Sequence, residues 1–113
     1  MTNCIFCKIV AGEIPADVVR RDERVVAITD ANPQAPVHIL VMPAQHIATI
    51  GEFVQSAPPE QLRDLMAAAA QIGAARSPGG FRIVANTGAE GGQTVDHLHL
   101  HVIGGRAMRW PPG

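Results

Sequence analysis

Asp96-His97-Leu98-His99-Leu100-His101-Val102-Ile103 holds three of the chain's five histidines within five residues, in strict alternation with apolar neighbours. Such alternation predicts a strand with one buried face. Side chains two apart share a face, about 6.6–6.8 Å from each other. His97, His99 and His101 are therefore expected on one side, with Leu98, Leu100 and Val102 in a core behind them. Three imidazoles on one surface offer nucleophiles, proton carriers or metal ligands near neutral pH. Packing alone does not account for them, because histidine fits a pleated surface no better than Val or Thr and brings ring nitrogens that need partners. A three-histidine metal site is the rival reading, although one flat strand rarely brings three imidazoles to one tetrahedral ion.

Working outward, Asp17–Arg21 and Arg24–Thr29 read as two strands turned at Asp22-Glu23. Val37–Met42 reads as a third, bounded by Pro36 and Pro43. Pro58-Pro59-Glu60 opens a helix, where a missing N–H costs little and an acidic first turn suits the dipole. Leu62, Leu65, Met66, Ala69 and Ile72 follow at helical spacing as one apolar stripe, and Ser77-Pro78-Gly79-Gly80 ends it. Phe81–Ala85 is a fourth strand and the histidine run a fifth. Strands, a helix, then strands predict an α+β fold in which a helix covers a sheet.

Composition narrows the function classes. A length of 113 residues suits a single domain over 1–113. Nine basic and ten acidic residues give a net charge of -1, so no broad basic field is available for nucleic acid or an anionic membrane. No apolar run approaches the ~18 residues a membrane span needs. Met1-Thr2-Asn3-Cys4 lacks the basic and apolar regions of a signal peptide, and a cytoplasmic protein is expected. Gly91-Gly92-Gln93-Thr94 enters the histidine run as a loop. Glycine lets backbone approach a phosphate closely, and successive N–H groups can form an anion nest to which Gln93 and Thr94 add side-chain donors.

The histidine run, the loop Gly88–Thr94 before it and Gly104-Gly105-Arg106-Ala107-Met108-Arg109-Trp110-Pro111-Pro112-Gly113 after it resemble the histidine triad (HIT) superfamily. The closing Gly-Gly-Arg to Trp-Pro-Pro-Gly is similar to the Hint branch of purine nucleoside phosphoramidases. Ile5-Phe6, Glu13-Ile14-Pro15, Asp30, Pro33–Pro36 and His38 fit the same pattern, so the likeness spans nearly the whole chain. It implies a five-stranded antiparallel sheet with one long and one short helix, the sheet extended across a homodimer.

The resemblance also implies roles. His99 is the expected nucleophile, attacking the α-phosphorus to give a nucleotidyl-histidine that water resolves. His101 matches the histidine that contacts phosphate and leaving group, and His38 one that orients the site. Transferase relatives carry Gln at the third triad position, so His101 points to hydrolysis. Asn86, Gly92, Gln93 and Thr94 are expected at the phosphate and Asp30 at the ribose hydroxyls, where a carboxylate makes charge-assisted hydrogen bonds. Phe6, Ile28, Thr29 and Ala31 are expected to wall the base. Ile28 and Thr29 depart from the better-known pattern, which has an aromatic and a His there. Trp110 has little to pack on at the end of a Pro-rich tail, and the resemblance places that tail at the partner's active site.

Cys4-Ile5-Phe6-Cys7 is the only cysteine pair. Cys-x-x-Cys reads as a redox pair, half a zinc site or inert thiols. A redox pair would sit at a helix N-terminus after a strand, whereas this one opens the chain. Bacterial relatives imply a structural zinc on Cys4, Cys7, His46 and His97. The leading expectation is a hydrolase releasing a nucleoside monophosphate of AMP or GMP type from a phosphoramidate. The alternatives are a dinucleoside polyphosphate hydrolase and a nucleotide-binding regulatory protein with incidental activity.

Overall fold

Asp22 folds the first hairpin: its Oδ1 accepts the N–H groups of Arg24 and Val25 at 2.8 and 2.9 Å. These backbone bonds hold its carboxyl below the usual carboxylate range. A computed structural model describes residues 3–113, and the reading of Met1 and Thr2 as free of a targeting signal lies outside them. Its elements are α1 (Ile5–Val10), β1 (Val18–Arg21), β2 (Val25–Thr29), β3 (Val37–Pro43), α2 (Ile50–Ser56), α3 (Pro59–Arg76), β4 (Phe81–Ala85) and β5 (Leu100–Gly104). The strands form one sheet in the order β1-β2-β3-β5-β4, every neighbouring pair antiparallel. No helix among the described residues is long and apolar enough to cross a membrane.

The sheet is covered on both faces, so β2 and β3 are buried almost throughout. Val25, Ala27, Ile39, Val41, Leu100 and Val102 pack on one side against Leu65, Ala68, Ala69 and Ile72 of α3. Gly73 lets α3 approach β4, because a Cβ there would run into the Phe81 ring. Met66, expected in the apolar stripe, is instead 40% exposed; Ala68 lines the helix's inner face in its place. On the other side Phe6 and Ile9 of α1 cover Val26, Ile28, Leu40 and Met42. Two short helices, α1 and α2, accompany the long one where a single short helix was expected.

The histidine run enters the sheet later than its alternation suggests: β5 begins at Leu100, the chain bends at Asp96 and His97, and Asp96–His99 lies outside the ladder. Val41 pairs with Leu100, so the next rung would join Pro43 to Leu98. Pro43 has no N–H to give that rung. The Leu98 N–H goes to the Ile47 carbonyl at 2.7 Å, and the Pro43 carbonyl receives the His97 ring at 2.8 Å. The alternation still sorts side chains as expected, with Leu98, Leu100 and Val102 in the core facing α3.

Candidate active site and metal-ligand cluster

Register assembles the site. Ile28 lies opposite Leu40, Leu40 opposite His101 and His101 opposite Val84, forming one row across the sheet. In the row beside it His38 faces Ile103, Ile103 faces Arg82, and the Asp30 N–H bonds the His38 carbonyl at 2.9 Å. His38 and His101 are thus diagonal neighbours, a separation that long side chains bridge.

The three rings of the run point to three different partners, which rules out their convergence on one metal. His99 Nδ1 lies 2.7 Å from the His97 carbonyl oxygen. A carbonyl only accepts, so Nδ1 carries the proton and Nε2 keeps its lone pair. Phe6 supports this ring edge-on, with centroids 4.9 Å apart. His38 Nδ1 accepts the Gln34 N–H at 3.0 Å, which puts its proton on Nε2. That N–H lies 2.9 Å from His101 Nδ1 and 3.3 Å from Asp30 Oδ2. His101 consequently carries its proton on Nε2, 3.5 Å from the Asn86 carboxamide nitrogen. Turning that carboxamide over presents its oxygen to this N–H. Burial, then His99 and His38, push the His101 pKa down to about 4 despite Asp30, so the free site holds a neutral ring near pH 7.

Beside these rings opens a cavity of about 580 Å³. Phe6, Ile28, Thr29, Asp30 and Ala31 line it together with His99, His101 and Thr94. Asn86, Gly92, Gln93 and Trp110 are outside its lining. The anion nest expected from Gly92 and Gln93 does not form. Their N–H groups bond the Ala89 and Gly88 carbonyls at 3.1 and 3.0 Å, and the Gln93 carboxamide donates to Ala48 and Val95 carbonyls at 2.7 and 3.1 Å. The loop is braced by these bonds, and Thr94 is its member that reaches the cavity. Trp110 is 82% exposed, with the Arg82 guanidinium 5.8 Å from its ring centre.

Ile9, Leu40, Asp17 and Val95 also line the cavity and were not expected at the site from the sequence, and Ile14, which the family pattern includes, joins them. Ile5, Phe6 and Ile9 sit at i, i+1 and i+4, a helical signal available in so short a stretch.

Cys4, Cys7, His46 and His97 bring four donor atoms within 4.8 Å of one another. Cys4 Sγ is 3.4 Å from His97 Nδ1, and Cys7 Sγ is 3.2 and 3.5 Å from the Nδ1 atoms of His46 and His97. A tetrahedral zinc holds sulfur and nitrogen ligands about 3.5 Å apart, so this donor set fits the metal. His97 donates Nε2–H to Pro43, which leaves Nδ1 bare toward the thiols, and burial holds its pKa below the usual histidine range. Burial raises the Cys7 thiol. Asp30, His38 and His101 also cluster, but the 2.9 Å between their nitrogens is a hydrogen-bond length, short of the ~3.3 Å that tetrahedral zinc imposes. One expectation about the cysteines is corrected: Cys4 is the N-cap of α1 and accepts the Cys7 N–H at 3.3 Å, so the pair does sit at a helix N-terminus. The two histidines completing the cluster separate it from a bare redox pair.

Comparison with known proteins agrees with this geometry. An uncharacterized HIT-like protein of Synechococcus elongatus is 50% identical over 114 residues, covering 98% of this chain and 97% of that protein. A 14 kDa zinc-binding protein of Brassica juncea is 43% identical, covering 98% of this chain and 100% of its own. The crystal structure of a HIT family hydrolase from Legionella pneumophila superposes with a TM-score of 0.92 at 47% identity, over 98% of this chain and 100% of that one. The HIT domain family matches residues 11–108, and with its histidine face, its sheet and these relatives the chain belongs to that family.

Proposed function

We propose that the chain is a hydrolase that releases a purine nucleoside monophosphate from a 5′-phosphoramidate through a nucleotidyl-His99 intermediate. The observation that carries this reading is the 2.7 Å bond from His99 Nδ1–H to the His97 carbonyl, which leaves Nε2 unprotonated at the wall of the cavity that Asp30 also lines. A neutral imidazole held this way is a nucleophile near pH 7, and a covalent adduct splits one hard displacement into two easier ones. Asp30 accepts from the ribose hydroxyls, Phe6, Ile28, Thr29 and Ala31 enclose the base, and Thr94 and Asn86 donate to the phosphate.

The proton balance runs through His101. An anionic phosphate beside the ring favours its protonated form, which the free site disfavours, and the His38 Nε2–H then shifts from His101 Nδ1 to Asp30 Oδ2, 3.3 Å away. His99 Nε2 bonds phosphorus as the P–N bond breaks, and the departing nitrogen takes the Nε2 proton of His101. Water then attacks the adduct, returning its proton to His101 and freeing His99. His38, its tautomer held by the Gln34 N–H, positions His101. The family likeness to a hydrolase supports the reaction class, and the zinc-binding relative supports a zinc on Cys4, Cys7, His46 and His97. There the metal would tie the chain's start to the stretch leading into β5.

The protein acts in the cytoplasm as a single-domain homodimer over residues 1–113, the tail of one subunit bordering the phosphate site of its partner. Exposure of Trp110 supports this, since an indole ring can bury roughly 150–250 Å². Sedimentation should show a dimer at micromolar concentration, and a monomer would contradict it. The deciding comparison is turnover of adenosine 5′-phosphoramidate against diadenosine polyphosphates. Faster release of AMP from the phosphoramidate supports the reading, and the reverse order replaces it with a dinucleoside polyphosphate hydrolase.

A further inference from the structure

α1 serves two centres at once. Its N-cap Cys4 and first-turn Cys7 supply two of the four metal donors, while Ile5, Phe6 and Ile9 line the nucleotide cavity. Phe6 is buried and meets His97 edge-on with centroids 5.9 Å apart and His99 at 4.9 Å. A second cavity of about 460 Å³ reaches the cluster at Cys4 and His46. Ile5, Thr94 and Val95 line both cavities and so form the partition between them.

A six-residue helix is marginal by itself, so its position depends on what ties it down. At its C-terminal end Arg21 donates to the Val10 and Ile9 carbonyls at 2.7 and 3.4 Å. At its N-terminal end, among the described residues, the side-chain hydrogen bonds to other segments are the thiol–imidazole contacts of the cluster, at 3.2 to 3.5 Å. A thiol is a weak donor, and such contacts hold the helix loosely. Metal loading holds it harder in two ways. Coordination fixes Cys4 and Cys7 to His46 and His97, and a charged Cys4 sulfur accepts the Cys7 N–H more strongly than a neutral one.

We propose that the cluster positions the base wall, so that zinc and a purine nucleotide each strengthen the other's binding, with Phe6 as the positioning residue that joins them. The proposal rests on the zinc and nucleotide readings above and is independent of which bond the protein cleaves. A ligand that orders a shared wall spares the next ligand that ordering, which is positive coupling without contact between the two. Linkage makes the effect equal in both directions. The phosphate end is coupled less, because the bond that orients His99 comes from the His97 main chain and stays with or without metal.

The test starts from zinc-loaded protein and follows transfer of the metal to a chromophoric chelator, with saturating AMP or the same concentration of ribose 5-phosphate. The two share phosphate and ribose, so chelation of zinc by the phosphate affects both alike, and only AMP carries a base to the wall. The zinc Kd should fall about fivefold or more with AMP, the lower end of ordinary coupling between sites, and less than about twofold with ribose 5-phosphate. Calorimetric titration should show AMP binding zinc-loaded protein more tightly than chelator-stripped protein by the same factor. Phe6→Leu keeps an apolar wall but loses both ring contacts, and its coupling factor should approach one. Should that variant fold poorly, the paired measurements on the unaltered protein decide. Zinc transfer unchanged by AMP, in protein that calorimetry shows to bind AMP, overturns the proposal and leaves the function proposed above standing. Absence of AMP binding to either form overturns both. Equal protection by AMP and ribose 5-phosphate, or full coupling retained in Phe6→Leu, overturns the assignment to the base wall.

Discussion

His97 and His99 are joined through the main chain: the His97 carbonyl oxygen holds His99 Nδ1 at 2.7 Å, while the His97 ring faces Cys4 and Cys7. One residue therefore belongs to both centres. Its ring fits the metal cluster, and its backbone sets the tautomer of the nucleophile two residues on.

Protein purified without chelator should carry about one zinc per chain. Cys4→Ser/Cys7→Ser should lose the metal and roughly 5–15 °C of melting temperature, the change that about 2 kcal/mol makes in a domain of this size. Turnover should fall less than about tenfold, because the carbonyl that orients His99 stays in the chain. Metal retained after both substitutions would move the site to the remaining histidines.

His101 ties stability to pH. Its folded pKa of about 4 lies below the 6.5 of a free imidazole, so between these values the unfolded chain binds more protons. Its contribution is fully present above pH 6.5 and is lost as pH falls toward 4. Melting temperature should therefore drop more steeply from pH 6.5 to 4.5 in the unaltered protein than in His101→Gln. Asp22, with its lowered pKa, loses stability on acidification in both, so the difference isolates the histidine. Coincident slopes would contradict the assignment.

Much of the fold was legible because punctuation and periodicity are local. Pro36 and Pro43 bracket β3, Ser77–Gly80 separates α3 from β4, and alternation sorts Leu98, Leu100 and Val102 from the histidines. The start of β5 was not legible, since it depends on a missing N–H at Pro43, across the sheet from Leu98. α1 has only six residues, so the spacing of Ile5, Phe6 and Ile9 was its one periodic signal, too short to mark a helix by itself. α2 did carry a signal in Thr49-Ile50-Gly51-Glu52: the Thr49 hydroxyl accepts the Glu52 N–H at 3.2 Å, and the Glu52 carboxylate reaches back to the Ala48 N–H at 3.3 Å. In the site, the triad could be read directly. The bond from Gln34 to His38 and the cavity walls from Ile14 and Leu40 arise from packing between distant segments.

Gly73 is where α3 meets β4. Gly73→Ala should destabilise the fold by about 1–3 kcal/mol through overpacking against Phe81, and Phe81→Leu in the same chain should restore part of the loss. Chemical denaturation of the single and double variants checks this. Equal stability of Gly73→Ala and the unaltered protein would contradict the close approach.

The central claim is that His99 becomes covalently attached to phosphorus. Acid-free quenching of the protein during turnover of adenosine 5′-phosphoramidate, followed by peptide mapping, locates any nucleotidyl group. The account predicts an adduct on His99 alone, absent from His99→Ala, which should lose at least ~10³-fold in turnover while still binding AMP. An adduct on His97 or His101, or steady turnover by His99→Ala, would contradict it.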